Sequence, residues 1–301
     1  MGKVYDGIMG LVVGDALGVP FEFKERDTFK CTDMIGYGTH CQPVGTWSDD
    51  SSMTIATMKS LARKGEIDLA DIMKNFYKWL FHGLFTPYGN VFDVGCTTSR
   101  AIKKYLYTPG IDPKKCGGDG EMDNGNGSLM RILPLAFIDC TIEDVFNVSA
   151  LTHAHYISQI ACGIYFNIAK YLIKGEAKNE AVEAAMEKYM CADALDKFDR
   201  LDFIEELSRD EIRSTGYVVD TLEAALWCFL TTESYKDCVL TAVNLGDDTD
   251  TVAAVAGGLA GIYYGIGGET GIPEEWVETI AKKEWIKDLC ESFEKKFQHP
   301  G

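Results

Sequence analysis

The chain has 301 residues, 46% apolar and 25% charged, enough to bury a sizeable core without a disulfide or metal staple. Its 46 acidic and 29 basic side chains give a formal net charge of −17, which argues against a general nucleic-acid binder and against a partner of anionic membrane surfaces. A small anionic ligand stays compatible, because metals and helix N-termini offset the field locally.

The opening Met1-Gly2-Lys3, followed by Asp6 and Asp15, does not read as a signal peptide, and no uninterrupted apolar run is long enough to span a membrane. Tyr5, Ile8, Met9, Val12, Val13, Ala16 and Leu17 recur at helical spacing. Gly7, Gly10 and Gly14 in that segment would each cost about 1 kcal/mol in an exposed helix, so a central helix with a close neighbour is expected. Residues 24–47, broken by Gly36, Gly38, Pro43 and Gly45, read as a long irregular connection. Helices are expected over 51–64 and over 69–83, the latter starting near Asp68 or Asp71. A Gly- and Thr-rich stretch, 86–98, leads into a helix through Ser99 to Leu106. Residues 107–128, with Pro109 and Pro113, form a second long loop, and loops of this length in a domain are usually functional or disordered. Helices follow over 128–137, 142–152, 156–174 and 178–191, then a charged surface stretch over 192–214, then helices over 217–231 and 234–244. Residues 250–264 are almost all small or apolar and must be buried. Two more helices end the chain. Strand signals are weak and no repeat or linker divides the sequence, so the expectation is one all-α domain over 1–301. The ten cysteines show no C-x-x-C spacing and read as reduced thiols of a cytoplasmic protein rather than a zinc or redox site.

Two acidic clusters carry the chemistry. Trp47-Ser48-Asp49-Asp50-Ser51-Ser52 opens one apolar segment, and Gly246-Asp247-Asp248-Thr249-Asp250-Thr251 opens another. Each sets carboxylates beside hydroxyls without His or Cys, a donor set for Mg²⁺, Mn²⁺ or Ca²⁺ rather than zinc or copper. Ser48 with Asp49 also reads as a plain helix cap, an effect of about 1 kcal/mol for which one Asp suffices. Three Asp at the mouth of a buried helix need a compensation that capping does not supply.

These clusters, with four further motifs, resemble the ADP-ribosylglycohydrolase family. Gly14-Asp15-Ala16-Leu17-Gly18-Val19-Pro20-Phe21-Glu22 matches the family's opening helix and its acidic residue. Phe92-Asp93-Val94-Gly95-Cys96-Thr97 matches an Asp-Ile/Val-Gly motif, Asn124-Gly125-Asn126-Gly127-Ser128-Leu129-Met130-Arg131 an Asn-Gly-Ser-x-Met-Arg motif, and Leu151-Thr152-His153 a Thr-His motif. The resemblance runs from about residue 4 to 290 and implies a compact orthogonal helical bundle with a central two-metal site. Carried over by motif position, Ser48, Asp49, Asp50, Asp248, Asp250 and Thr251 ligate two Mg²⁺ ions, with Mn²⁺ as an alternative. Asp93, Glu22 and Asp49 are the implied catalytic carboxylates. Gly95, Asn126, Gly127, Ser128, Leu129, Met130, His153 and Tyr217 are the implied substrate contacts. Asp247 departs from the family, which usually has Gly there.

From the residues alone, Glu22 also reads as a loop carboxylate, Asp93 as a cap, Asn126-Gly127 as a simple turn, His153 as a structural imidazole and Tyr217 as core packing. The implied activity is removal of ADP-ribose from a modified protein side chain, with arginine the favoured linkage. The alternatives are another ADP-ribosyl linkage, a catalytically silent ADP-ribose binder or structural protein, and a metal phosphoesterase. The implied partners are ADP-ribose and an ADP-ribosylated protein, and the chain is expected to act as a monomer.

Overall fold

Helix α1 (Lys3–Gly18) is buried along nearly its whole length because apolar and glycine residues surround its axis. It lies against α10 (Thr249–Tyr264), and this is the most extensive contact between any two elements among the described residues. Small residues make that contact. A Cβ on Gly14 would strike the carbonyl of Ala253, and one on Gly257 would strike the carbonyl of Gly10. The computed structural model describes residues 2–189 and 195–297.

Around this pair stand α2 (Asp49–Lys64), α3 (Leu69–His82), α4 (Cys96–Tyr107), α5 (Ile142–Ser149), α6 (Tyr156–Lys174), α7 (Lys178–Glu187), α8 (Val218–Leu230), α9 (Tyr235–Val243), α11 (Glu274–Thr279) and α12 (Lys283–Phe297). Helices α2, α9 and α12 pack on α1, while α6, α8 and α9 pack on α10. The described residues contain isolated β-bridges but no sheet, so the all-α expectation holds. No described helix is long and apolar enough to cross a membrane.

Several boundaries differ from those expected. The segment 128–137 is two 3₁₀ turns, Asn126–Arg131 and Leu133–Phe137, split where Pro134 has no N–H to donate. The helix expected over 142–152 stops at Ser149, because the Thr152 carbonyl accepts from Gly118 N–H at 3.1 Å and Ala154 N–H donates to Gly118 at 2.7 Å. Within 195–214 the chain forms short 3₁₀ turns and is not merely surface. Phe198, Leu201, Ile204 and Ile212 are buried, three of them in or next to the turn that packs on α8. The helix expected over 178–191 stops at Glu187, and positions 190–191, with Cys191, lie outside the described residues.

Candidate active site

The fold brings the two acidic clusters together by their helix N-termini. Ser48 caps α2 with Asp49 and Asp50 in its first turn, and Asp248 precedes α10 with Asp250 and Thr251 in its first turn. Helix N-termini carry partial positive charge, which makes them suited to gather carboxylates. The hydroxyls of Ser48 and Thr251 both donate to Asp50 Oδ2, at 3.0 and 3.4 Å. The two clusters therefore share one volume.

Asp15, at the end of α1, joins them. Its carboxylate accepts Ser48 N–H at 2.9 Å and Ser51 N–H at 3.0 Å, and the Ser51 hydroxyl at 2.5 Å. In effect α1 caps α2 from outside. Sequence reasoning did not single out Asp15 for the site, although a carboxylate within the glycine and apolar stretch that follows Asp6 was the available signal.

Glu22 and Asp93 reach the same volume from loops. Oxygens of Asp15, Asp50 and Asp250 lie within 4.8 Å of one another, and so do those of Glu22, Asp248 and Asp250. Asp250 belongs to both trios. A third group, Glu22, His40 and Asp93, is equally close. His40, which comes from the long connection, bonds Glu22 through Nε2 and stacks obliquely on Phe92 with ring centroids 5.2 Å apart. No sequence signal marked His40. Asp93 has φ +48°, a left-handed conformation uncommon outside glycine, of the kind that collects at functional sites.

Burial and mutual repulsion lift the carboxyls. Asp49, Asp50 and Asp250 are pushed well above the ordinary carboxylate range, first by burial and then by their neighbours: Asp93 for Asp49, Asp15 for Asp50, Glu22 for Asp250. Burial raises Glu22 to about 7 against the opposing bond from His40, with Asp93 and Asp248 adding to the rise. Asp15 rises to about 6 by burial, opposed by its serine donors. Two carboxylate oxygens, Asp50 Oδ1 and Asp250 Oδ2, are buried with no hydrogen-bond partner. Orphaned buried oxygens are costly, and a divalent cation offers them both charge and coordination. The donor set thus fits divalent cations held through oxygen.

Asp247 stands apart. It is exposed, belongs to neither trio, and adopts φ +65°, the conformation for which glycine is the default. Its backbone pairs with residues 23 and 24.

Beside the carboxylates, the glycine turn 124–127 pairs with the entry to α8. Asn126 N–H donates to Gly216 at 3.0 Å and Val218 N–H to Asn124 at 2.9 Å. A cavity of about 540 Å³ opens along this seam, walled by Gly125, Gly216, Tyr217, Tyr156, His155 and Met122 among others. Of the expected substrate contacts, Tyr217 faces this cavity, and Gly95 is exposed at the start of α4. Gly127 lies in the turn. Its own neighbours are His153 and Thr98, since an added Cβ would lie 2.8 Å from an atom of each. The Asn126 amide points elsewhere: it donates to Asp248 Oδ2 at 2.8 Å and Thr221 Oγ1 at 2.9 Å, tying the turn to the acidic cluster.

Three expected contacts have buried side chains. Leu129 and Met130 are core residues, and the Ser128 hydroxyl is taken up by Ser149 Oγ at 2.9 Å and lies 3.4 Å from Cys162 Sγ. A helix-entry motif buries its first turn, so these residues support the turn from below. His153 is also buried, with its ring against Gly125 and Gly127 of the turn.

The profile of the ADP-ribosylglycohydrolase family matches residues 1–301. The chain is 33% identical over 299 residues to a protein named ADP-ribosylarginine hydrolase Tri1 in Serratia proteamaculans (strain 568), covering 96% of this chain and 78% of that one. It is 32% identical over 291 residues to the ADP-ribosyl-(dinitrogen reductase) glycohydrolase of Rhodospirillum rubrum, covering 93% and 91%. A solved structure described as an ADP-ribosylglycohydrolase-related protein complex superposes with a TM-score of 0.82 at 31% identity, over 98% of this chain and 97% of that chain.

Proposed function

This chain belongs to the ADP-ribosylglycohydrolase family, and we propose that it hydrolyses the N-glycosidic bond between ADP-ribose and a protein arginine, with two Mg²⁺ ions at the carboxylate cluster. The observation that carries the reading is the pair of carboxylate trios sharing Asp250, set beside a cavity edged by a glycine turn. Relatives named as ADP-ribosylarginine hydrolases, from Serratia proteamaculans and Pseudomonas putida, support arginine as the acceptor.

Ser48, Asp49, Asp50, Asp248, Asp250 and Thr251 are the residues that would hold the ions. When bound, divalent ions there supply Lewis-acid polarisation of oxygen. The remaining work falls to this chain's own groups. Cleavage at the ribose anomeric carbon passes through an oxocarbenium-like state, whose positive charge the Asp93 and Glu22 carboxylates stabilise. Glu22 is also placed to exchange a proton with the attacking water. The cavity along the glycine turn supports binding of the nucleotide end, with Tyr217 offering an aromatic face. We take residues 1–301 as one catalytic unit. Free thiols at all nine described cysteines support a reducing, cytoplasmic setting.

Incubation with an ADP-ribosylated arginine protein and Mg²⁺ tests the proposal. Release of ADP-ribose together with unmodified arginine is expected. A folded protein that releases none would overturn it, and release from serine but not arginine would move the assignment to another linkage.

A further inference from the structure

His153 has a hydrogen-bond chain behind it that the proposed reaction does not use. Arg131 is fully buried with no ion-pair partner among the described residues, its guanidinium lying over the Phe76 ring at 4.7 Å. Its Nη2 donates to Thr152 Oγ1 at 2.8 Å and to the Val148 carbonyl at 3.2 Å. Thr152 is itself fully buried, and its Oγ1 sits 2.9 Å from His153 Nδ1.

Donor and acceptor chemistry gives this chain one direction. A guanidinium only donates, so Thr152 Oγ1 accepts from Arg131 and has a single hydrogen left to give. The acceptor in reach is Nδ1, which must then carry a lone pair, leaving the imidazole proton on Nε2. The backbone that carries the ring is pinned. His153 N–H donates to the Ser149 carbonyl at 2.9 Å, its own carbonyl accepts the Ser149 hydroxyl at 3.0 Å, and its backbone bridges Gly118. Burial, and the Arg131 charge after it, hold His153 down to about 3, so the ring stays neutral at working pH.

Nε2 has no hydrogen-bond partner among the described residues. It lies beneath the glycine turn, where a Cβ on either Gly125 or Gly127 would stand 3.4 Å from it. The missing side chains leave this nitrogen approachable from the turn.

We propose that Arg131 and Thr152 are positioning residues which fix His153 as its Nε2–H tautomer, so that the ring presents a donor to a ligand oxygen lodged at the Gly125–Gly127 turn. The identity of that ligand as ADP-ribose rests on the function proposed above; the tautomer does not.

The test has two readouts, neither of them hydrolysis. Long-range ¹H–¹⁵N NMR of the full chain, with the His153 signals assigned by their loss in His153→Gln, should show a neutral Nε2–H ring from pH 5.5 to 8. A wild-type ring carrying its proton on Nδ1, or doubly protonated, overturns the proposal. Calorimetry with ADP-ribose should show about tenfold weaker binding for Thr152→Val, the loss of one aligned hydrogen bond, and near wild-type binding for Thr152→Ser. Unchanged binding in Thr152→Val also overturns it. If Thr152→Val does not fold, the wild-type spectrum decides. ADP-ribose binding with an Nε2–H ring but no arginine hydrolysis would sink the proposed function and leave this inference standing.

Discussion

Stripped of divalent cations, the protein should lose stability as pH rises from 5 to 8, and Asp250→Asn should remove part of that loss. The folded state holds the cluster carboxyls above their ordinary range, whereas in the unfolded chain they ionise near 4. Between those values the folded state binds more protons than the unfolded one, so stability falls with rising pH. The contribution is complete below about pH 4 and is lost as pH passes through about 6 for Asp15 and about 7 for Glu22. Rises from 3.8 to about 6 and from 4.5 to about 7 each correspond to about 3 kcal/mol. Because the two groups sit in one interacting cluster, a combined loss of about 3–6 kcal/mol is expected. At about 2 °C per kcal/mol for a chain of this size, the melting temperature in EDTA should fall by about 6–12 °C. Asp33 and Asp68, held low by hydrogen bonds, have finished titrating below this window. Outside the cluster, Glu223, raised to about 7 by burial, adds to the fall, and His153, held down to about 3 by burial, opposes it below pH 6.5, so these two largely offset each other. Differential scanning fluorimetry in EDTA at several pH values, repeated with saturating Mg²⁺ or Mn²⁺, measures the effect, and added cation should restore most of the loss at pH 8. A flat or rising EDTA profile, or the same slope in Asp250→Asn as in the wild type, would refute the claim that these carboxylates repel one another in the folded state.

Asp49→Ala and Asp250→Ala should each lower hydrolysis by about 100-fold or more while far-UV circular dichroism stays unchanged, because both side chains face the cluster and neither caps its helix; full activity in either variant would remove that residue from the site. Asp247→Gly should keep activity within about twofold and shift urea stability by less than about 1 kcal/mol, whereas Asp247→Val, a branched residue forced to positive φ, should cost about 1–3 kcal/mol. Gly14→Ala should cost about 3 kcal/mol by urea titration, since the new methyl meets the Ala253 backbone and not a movable side chain.

Helical periodicity was enough for α1 and α6 and the unbroken small and apolar run for α10, and glycine spacing in α1 foretold its close neighbour. The carboxylates of the cluster were legible for a different reason: acidic residues opening an apolar helix conflict with burial unless something offsets them. What stayed hidden depends on contacts between distant segments. His40 reaches Glu22 only because residues 37–42 fold back on residues 20–22, where Thr39 bonds Pro20 and Glu22. Asp15 becomes a cap for α2 only once two helix ends meet. Ser128, Leu129 and Met130 looked like ligand contacts by motif, and the side of a 3₁₀ turn that faces the core is not encoded in a six-residue pattern. The Asp247 departure is explained by a backbone angle that no single sequence reveals.

The glycine seam between α1 and α10 acts as a gauge. Asp15 sits at one end of the seam and Asp250 at the other helix's mouth, and a Cβ on Gly18 would strike the Asp250 backbone. Sliding one helix along the other by a single residue, about 1.5 Å, would drive side-chain carbons into backbone and pull those carboxylates out of register together. The spacing of Asp15 and Asp250 is thus set by rods, while Glu22 and Asp93 come in on loops. Substitutions deep in the seam should therefore show themselves as altered cation preference before they show themselves as unfolding, whereas changes in the glycine turn reach the cluster only through the bond from Asn126 to Asp248.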